Sequence, residues 1–118
     1  MSDNLIINLP YPISANRYWR SYRGRVVVSD EARAYKRVVG LICNHAATEP
    51  ISGDVAVSVD IRRPAKRRDI DNHAKVLLDS LQGFAYHNDG QIIDLHLRMT
   101  DNKRNPGVTV TVTRVTQE

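Results

Sequence analysis

One cysteine, Cys43, is all that the 118-residue chain holds. That excludes an intrachain disulfide and any zinc site built mainly from thiolates. No apolar run approaches the roughly 20 residues that a membrane helix requires. Met1-Ser2-Asp3-Asn4 lacks the basic and apolar regions of a signal peptide. Repeats, low-complexity segments and flexible linkers are also missing. The expectation is a protein of a reducing cytoplasm, with residues 1–118 forming a single domain. A core this small leaves little room for a closed substrate cavity, so a surface groove, or a site completed by a second copy, is easier to build.

Acidic residues are outnumbered. Lys and Arg total 17 against 13 Asp and Glu, for a net charge of +4 and a pI near 9.5. The excess is clustered: Arg17, Arg20, Arg23 and Arg25 form one group, and Arg62, Arg63, Lys66, Arg67 and Arg68 another. Clustered cations suit an acidic polymer better than the same charges dispersed.

Asp69-Ile70-Asp71-Asn72 follows directly on the second cluster, and Lys75 comes three residues later. Two carboxylates in the most basic part of a basic chain are costly unless charged ligands belong there. A divalent metal between the carboxylates and a phosphate backbone on the arginines would satisfy both signs.

Periodicity places these residues. Residues 5–9 read as a strand stopped by Pro10 and Pro12, residues 12–24 as a loop, and Arg25 to Val28 as a second short strand. Ser29 is a helix N-cap, with Asp30 and Glu31 in the first turn. Ala32, Tyr35, Val39, Ile42 and Ala46 then predict a helix over about 30–47. Val55, Val57, Val59 and Ile61 alternate with polar neighbours in a strand that Pro64 ends. A second helix begins near Asp71 or Asn72, carries Ala74, Leu77, Leu78 and Leu81 as its apolar stripe, and closes at Gly83. Ile93, Leu95, Leu97 and Met99 mark another strand, and residues 108–112 the last. The expected fold is α+β, a mixed sheet with two helices packed on one face.

Side chains two apart on extended backbone point to the same side, so Asp69 and Asp71 can grip one hard cation such as Mg²⁺. Lys75, four residues after Asp71, would sit over the same helix face. The bland alternative is that Asp71 caps the helix while Asp69 pairs with Arg67 or Arg68, and spacing alone leaves both open. Asp89, in Asn88-Asp89-Gly90-Gln91, is a third candidate. The strand after it is expected to bring it toward the pair at one end of the sheet, although an Asp-Gly turn needs no metal to explain it. His45, His73, His87 and His96 show no ligand spacing, and Ser14 and Ser29 have no triad context. Asp60 and Asp94 sit on strands and read as solvated or salt-bridged.

The run from Arg67 to Asn72, then Lys75, then Leu78-Asp79-Ser80-Leu81, then residues 88–92, resembles the RusA family of Holliday-junction resolvases. Residues 9–18 and the segment from Gly24 to Ser29 are similar to that family as well. The resemblance implies a homodimeric, Mg²⁺-dependent endonuclease, for which Mn²⁺ can substitute, that cuts four-way DNA junctions symmetrically in a bacterial or phage setting. It implies metal-binding aspartates at Asp69, Asp71 and Asp89 and a catalytic lysine at Lys75. The DNA contacts expected with it are Ser14, Asn16, Arg17, Arg20, Lys66, Arg67, Arg68 and Asn72. Asn88 departs from the two acidic residues that many members carry before the Gln, which leaves Asp89 as the retained ligand. Two further readings stay open: a non-catalytic binder of branched or single-stranded DNA, and a nuclease acting on flaps, forks or RNA. The dimer surface is open too, with the valine-rich last strand and the apolar helix faces as candidates.

Overall fold

Strand formation here follows the β-branched runs, and helix formation the two capped apolar stripes. The computed structural model describes residues 4–12, 19–46, 48–64 and 71–115, and only the backbone of Trp19, Arg20, Asp71, Asn72, His73 and Lys75. Along the chain these form β1 (Asn4–Leu9), β2 (Trp19–Tyr22), β3 (Arg25–Val28), α1 (Asp30–His45), β4 (Val55–Arg63), α2 (Asp71–Leu81), β5 (Ile92–Asp101) and β6 (Gly107–Arg114). A short 3-10 turn, Asp89–Gln91, leads into β5.

The main sheet has the order β1-β6-β4-β5. β6 runs antiparallel to both β1 and β4, while β4 and β5 are parallel, so the sheet is mixed. The last strand in sequence is therefore internal. Val108, Val110 and Val112 are fully buried, which removes the valine-rich strand from the candidate dimer surfaces. These valines share one face with Ile7 and Leu9 of β1 and with Val55, Val57, Val59 and Ile61 of β4. Tyr35, Val39 and Cys43 of α1 and Val76, Leu77 and Leu81 of α2 complete the same core. Both helices thus cover one face, as expected, and each fully buried aliphatic side chain contributes about 1.5–3 kcal/mol. The other face of β4 is polar, with Ser58 and Asp60 exposed. Among the described residues no helix is long and apolar enough to cross a membrane.

α1 begins where the cap predicts: the Ser29 hydroxyl accepts from the Ala32 N–H at 3.1 Å. Its buried stripe differs at the end. Ala46 is exposed, and Gly40 and Cys43 lie inward instead. Gly40 is there because the Phe84 ring lies on it; a β-carbon at this position would meet the ring at 2.9 Å. The expected loop over residues 12–24 is also corrected, because Trp19–Tyr22 is a strand that pairs with β3. The link is a two-residue turn with Arg23 at φ 51° and Gly24 at φ 75°, the doubly positive geometry that matches hairpin twist.

Candidate metal and DNA site

β4 ends at Arg63, and α2 begins at Asp71. α2 forms because Ala74, Val76, Leu77 and Leu81 bury one face, while the buried Ser80 hydroxyl donates to the Val76 carbonyl at 2.7 Å. Asp71 is its first residue and Lys75 follows one turn later. Asp69, Lys66, Arg67 and Arg68 lie outside the described residues, as do Ser14, Asn16 and Arg17. For Arg20 and Asn72 the backbone alone is described, on β2 and at the start of α2.

Two members of the second basic cluster are committed elsewhere. Arg62 donates to the Thr109 hydroxyl at 3.0 Å and to the Asn105 carbonyl at 3.2 Å. Arg63 is paired with Asp101 on the neighbouring strand. Both lock the end of β4 to its surroundings. Around β3 the opposite holds: Arg23 and Arg25 are exposed, and the Arg23 guanidinium lies 5.3 Å from the Tyr22 ring centroid. The hairpin tip thus presents cations beside an exposed aromatic ring.

Asp89 stands on a rigid turn. The Asn88 side chain accepts from the Gly90 N–H at 2.7 Å, so Asn88 serves as the turn's cap. Gln91 ties the turn down through four bonds. Its side-chain oxygen accepts from the His87 and Asn88 N–H groups at 2.7 and 2.9 Å. Its amide donates to the Ile51 and Gly53 carbonyls at 2.8 and 2.6 Å. The Asp89 N–H donates to the Gln82 side chain at 2.9 Å, while its carboxylate is exposed and, among the described residues, joins no salt bridge. Tyr86 lies just beneath, buried, its hydroxyl donating to the Leu78 carbonyl at 2.6 Å. Burial chiefly, with the Asp89 and Asp79 charges adding, pushes its phenol well above the ordinary range. His87 contacts Ser52 at 3.3 Å, and His96 contacts Asp94 at 3.1 Å, so both have structural partners.

The position of Asp89 corrects the expected geometry. Because β4 and β5 are parallel, Ile92 lies opposite Val55 and Asp101 opposite Arg63. Asp89 therefore sits at the end of the sheet where β4 starts, and the path to Asp69 and Asp71 leaves from the other end. Gln82, which holds Asp89, follows the last turn of α2, whereas Asp71 opens the first. Eleven helical residues at about 1.5 Å each separate these ends by about 15 Å. Carboxylates sharing one Mg²⁺ each approach it to about 2.0–2.1 Å, a closeness that the two ends of α2 do not offer. Among the described residues no group of three His, Cys, Asp or Glu side chains converges.

A family model described as Endodeoxyribonuclease RusA matches residues 10–113. The chain belongs to the RusA family. A relative named Crossover junction endodeoxyribonuclease RusA, from Escherichia coli (strain K12), is 33% identical over 116 residues, covering 95% of this chain and 96% of the relative. Proteins of the same name from Shigella sonnei (strain Ss046) and Enterobacteria phage 82 are 32% and 31% identical over the same shares. Membership in the RusA family makes the chain an endodeoxyribonuclease, so its reaction is hydrolysis of DNA phosphodiesters.

Gln82 and Gln91, which fix the Asp89 turn, were missing from the expected site. A signal for Gln91 was present: Asn88 and Gln91 have the spacing of a capping box, which both side chains form. Gln91→Leu is expected to cost about 2 kcal/mol of stability, read from the urea midpoint, by deleting four modest bonds. It should also slow DNA cleavage while leaving DNA affinity nearly unchanged.

Proposed function

We propose that this chain resolves four-way DNA junctions by paired nicks as a symmetric homodimer. It would use Mg²⁺, which Mn²⁺ can replace, on Asp69, Asp71 and Asp89. The observation that carries this reading is the D-x-D-N-x-x-K run at the entry to α2, in a chain that matches RusA-family proteins over nearly its whole length. The donor set suits a hard cation, being carboxylate oxygens only. Asp89 is held rigidly with its carboxylate open, as a ligand requires.

The separation of Asp71 and Asp89 along α2 favours a site shared between copies, in which Asp69 and Asp71 of one protomer meet Asp89 of the other. A dimer then carries two equivalent sites, matching two-fold junction symmetry and the need for two nicks. Bound there, the ion supplies Lewis acidity and a water of lowered pKa. Lys75 neutralises charge that develops on the scissile phosphate. Lys66, Arg67, Arg68, Arg17 and Arg20, with Ser14, Asn16 and Asn72, hold the strands near the site. Arg23, Arg25 and the exposed Tyr22 side chain extend this contact to the branch point, where unstacked bases are available. The setting is a bacterial or phage-infected cytoplasm.

The test compares wild-type protein on a labelled four-way junction, a fork, a flap and a linear duplex, with Mg²⁺ or with a chelator, at one fixed salt concentration. The expected result is paired nicks in the junction with Mg²⁺ and none with chelator. Faster cutting of forks or flaps would reassign the substrate, and equal cutting with chelator would remove the metal.

A further inference from the structure

We propose that the outer face of α1 is a docking groove for an acidic peptide segment of a partner protein, anchored by one bulky apolar side chain. The interaction is separate from cleavage, and depends neither on the metal site nor on the dimer.

α1 turns Tyr35, Val39 and Cys43 to the core. Its other side carries Arg33, Lys36, Arg37 and Leu41, all exposed, at the three- and four-residue spacings that share a helix face. With Gly40 and Phe84 they line a cavity of about 530 Å³. Leu41 is 68% exposed. A single exposed leucine is ordinary, but this one stands beside a wall that is already built. The Phe84 N–H donates to the Leu81 carbonyl at 3.1 Å, and the Phe84 carbonyl accepts from the Thr48 hydroxyl at 3.4 Å. The ring between these anchors lies against Gly40, where a β-carbon would meet it at 2.9 Å. A preformed wall lowers the ordering cost of binding. The volume falls within the roughly 300–1,000 Å³ of ligand pockets, which is room for one aromatic or large aliphatic side chain.

The rim of the groove fixes the charge of its occupant. Three cations line it, and no carboxylate does. Arg33 places one donor on the Val28 carbonyl at 3.2 Å. Lys36 and Arg37 join no salt bridge among the described residues. Arg33 stands three residues from Lys36 and four from Arg37, spacings at which like charges repel along a helix. Carboxylates seated between them would relieve that repulsion.

The floor separates a peptide from the other polyanion at hand. Nucleic acid would engage the cations, but phosphate and sugar give Leu41 no apolar contact. The apolar surface also runs on away from the cations, because Leu41 lines a second groove with Ile6, Ile42 and Ala46. A track for a phosphate backbone would continue in cations instead. A second copy of the chain would set the same three cations against themselves across a two-fold axis. A peptide with carboxylates beside a phenylalanine, tryptophan or leucine satisfies rim and floor together, the anchor-in-pocket arrangement that dominates binding energy at interfaces.

The test titrates the full chain into fluorescent synthetic peptides in which aspartates flank one phenylalanine, tryptophan or leucine. Anisotropy should show saturable binding that weakens as salt rises. Replacing the anchor by serine, or the aspartates by lysine, should weaken it by about tenfold or more. Leu41→Ser, and Lys36→Glu combined with Arg37→Glu, should each weaken it by about tenfold. Lys103→Glu, an exposed cation between β5 and β6, should leave it unchanged, and a thermal melt checks that every variant is folded. Junction nicking by Leu41→Ser should stay at the wild-type rate, so loss of docking and failure of the nuclease reading are read separately. No saturable binding with any of the three anchors overturns the proposal, as does binding that ignores Leu41→Ser. Oligothymidylate that displaces the peptides, binds more tightly and is lost with the charge reversals would overturn it in favour of a nucleic-acid surface. A sedimentation mass that falls with Leu41→Ser, without peptide, would overturn it in favour of a contact between copies.

Discussion

Asp71→Asn should lower Mg²⁺-dependent nicking of a four-way junction by more than about 100-fold while junction binding persists. The substitution keeps size and hydrogen-bonding capacity but removes the charge that a divalent ion needs. Asp71 opens α2, so the variant also loses a negative group near the helix N-terminus, at about 0.3–1 kcal/mol. That is small beside the stability of a domain, and a thermal melt will separate it from the catalytic loss. DNA affinity moves the other way if it moves at all, since one anion has left a surface that faces phosphates. A gel-shift and a cleavage assay on the same preparation give both readouts. Cleavage at the wild-type rate would return Asp71 to the role of a helix cap and sink the metal assignment.

Much of the architecture was legible because local signals agreed with one another. Ser29 announced α1, Pro64 and Gly83 bracketed the segment holding α2, and the alternation through Val55–Ile61 marked both a strand and its buried face. The failures have specific causes. Trp19–Tyr22 is too short and too polar to show strand alternation, and only its pairing partner, rich in valine, identifies it. Ala46 kept the helical spacing but fell where α1 leaves the sheet, so tertiary position overrode periodicity. Alternation shows that Ile92–Asp101 is a strand without showing its direction. The intervening α2 carried that information, because a strand joined to its neighbour through a helix runs parallel to it. Reading that crossover would have sent Asp89 to the opposite end of the sheet from Asp71. The residues of the proposed site thus stand in the sequence, whereas the direction of Ile92–Asp101, which decides where Asp89 lies in the sheet, does not show in its alternation.

Mixing two inactive variants supplies the sharpest test of the proposed shared site. Asp71→Asn and Asp89→Asn should each fall by more than about 100-fold in nicking, yet dimers containing one chain of each should regain activity. In such a heterodimer one shared site collects both substitutions and is dead. The other combines Asp71 of the second chain with Asp89 of the first and is intact. When equal amounts of the two are co-refolded, about half of the dimers are mixed and about a quarter of all sites work. The product identifies the arrangement further: one working site per dimer leaves single nicks in the junction, with few molecules cut on both strands. Were all the aspartates of a site to come from one chain, each site in the mixture would still carry a substitution, and no recovery would follow at any ratio. The roughly 15 Å that α2 sets between its two ends makes recovery the expected result.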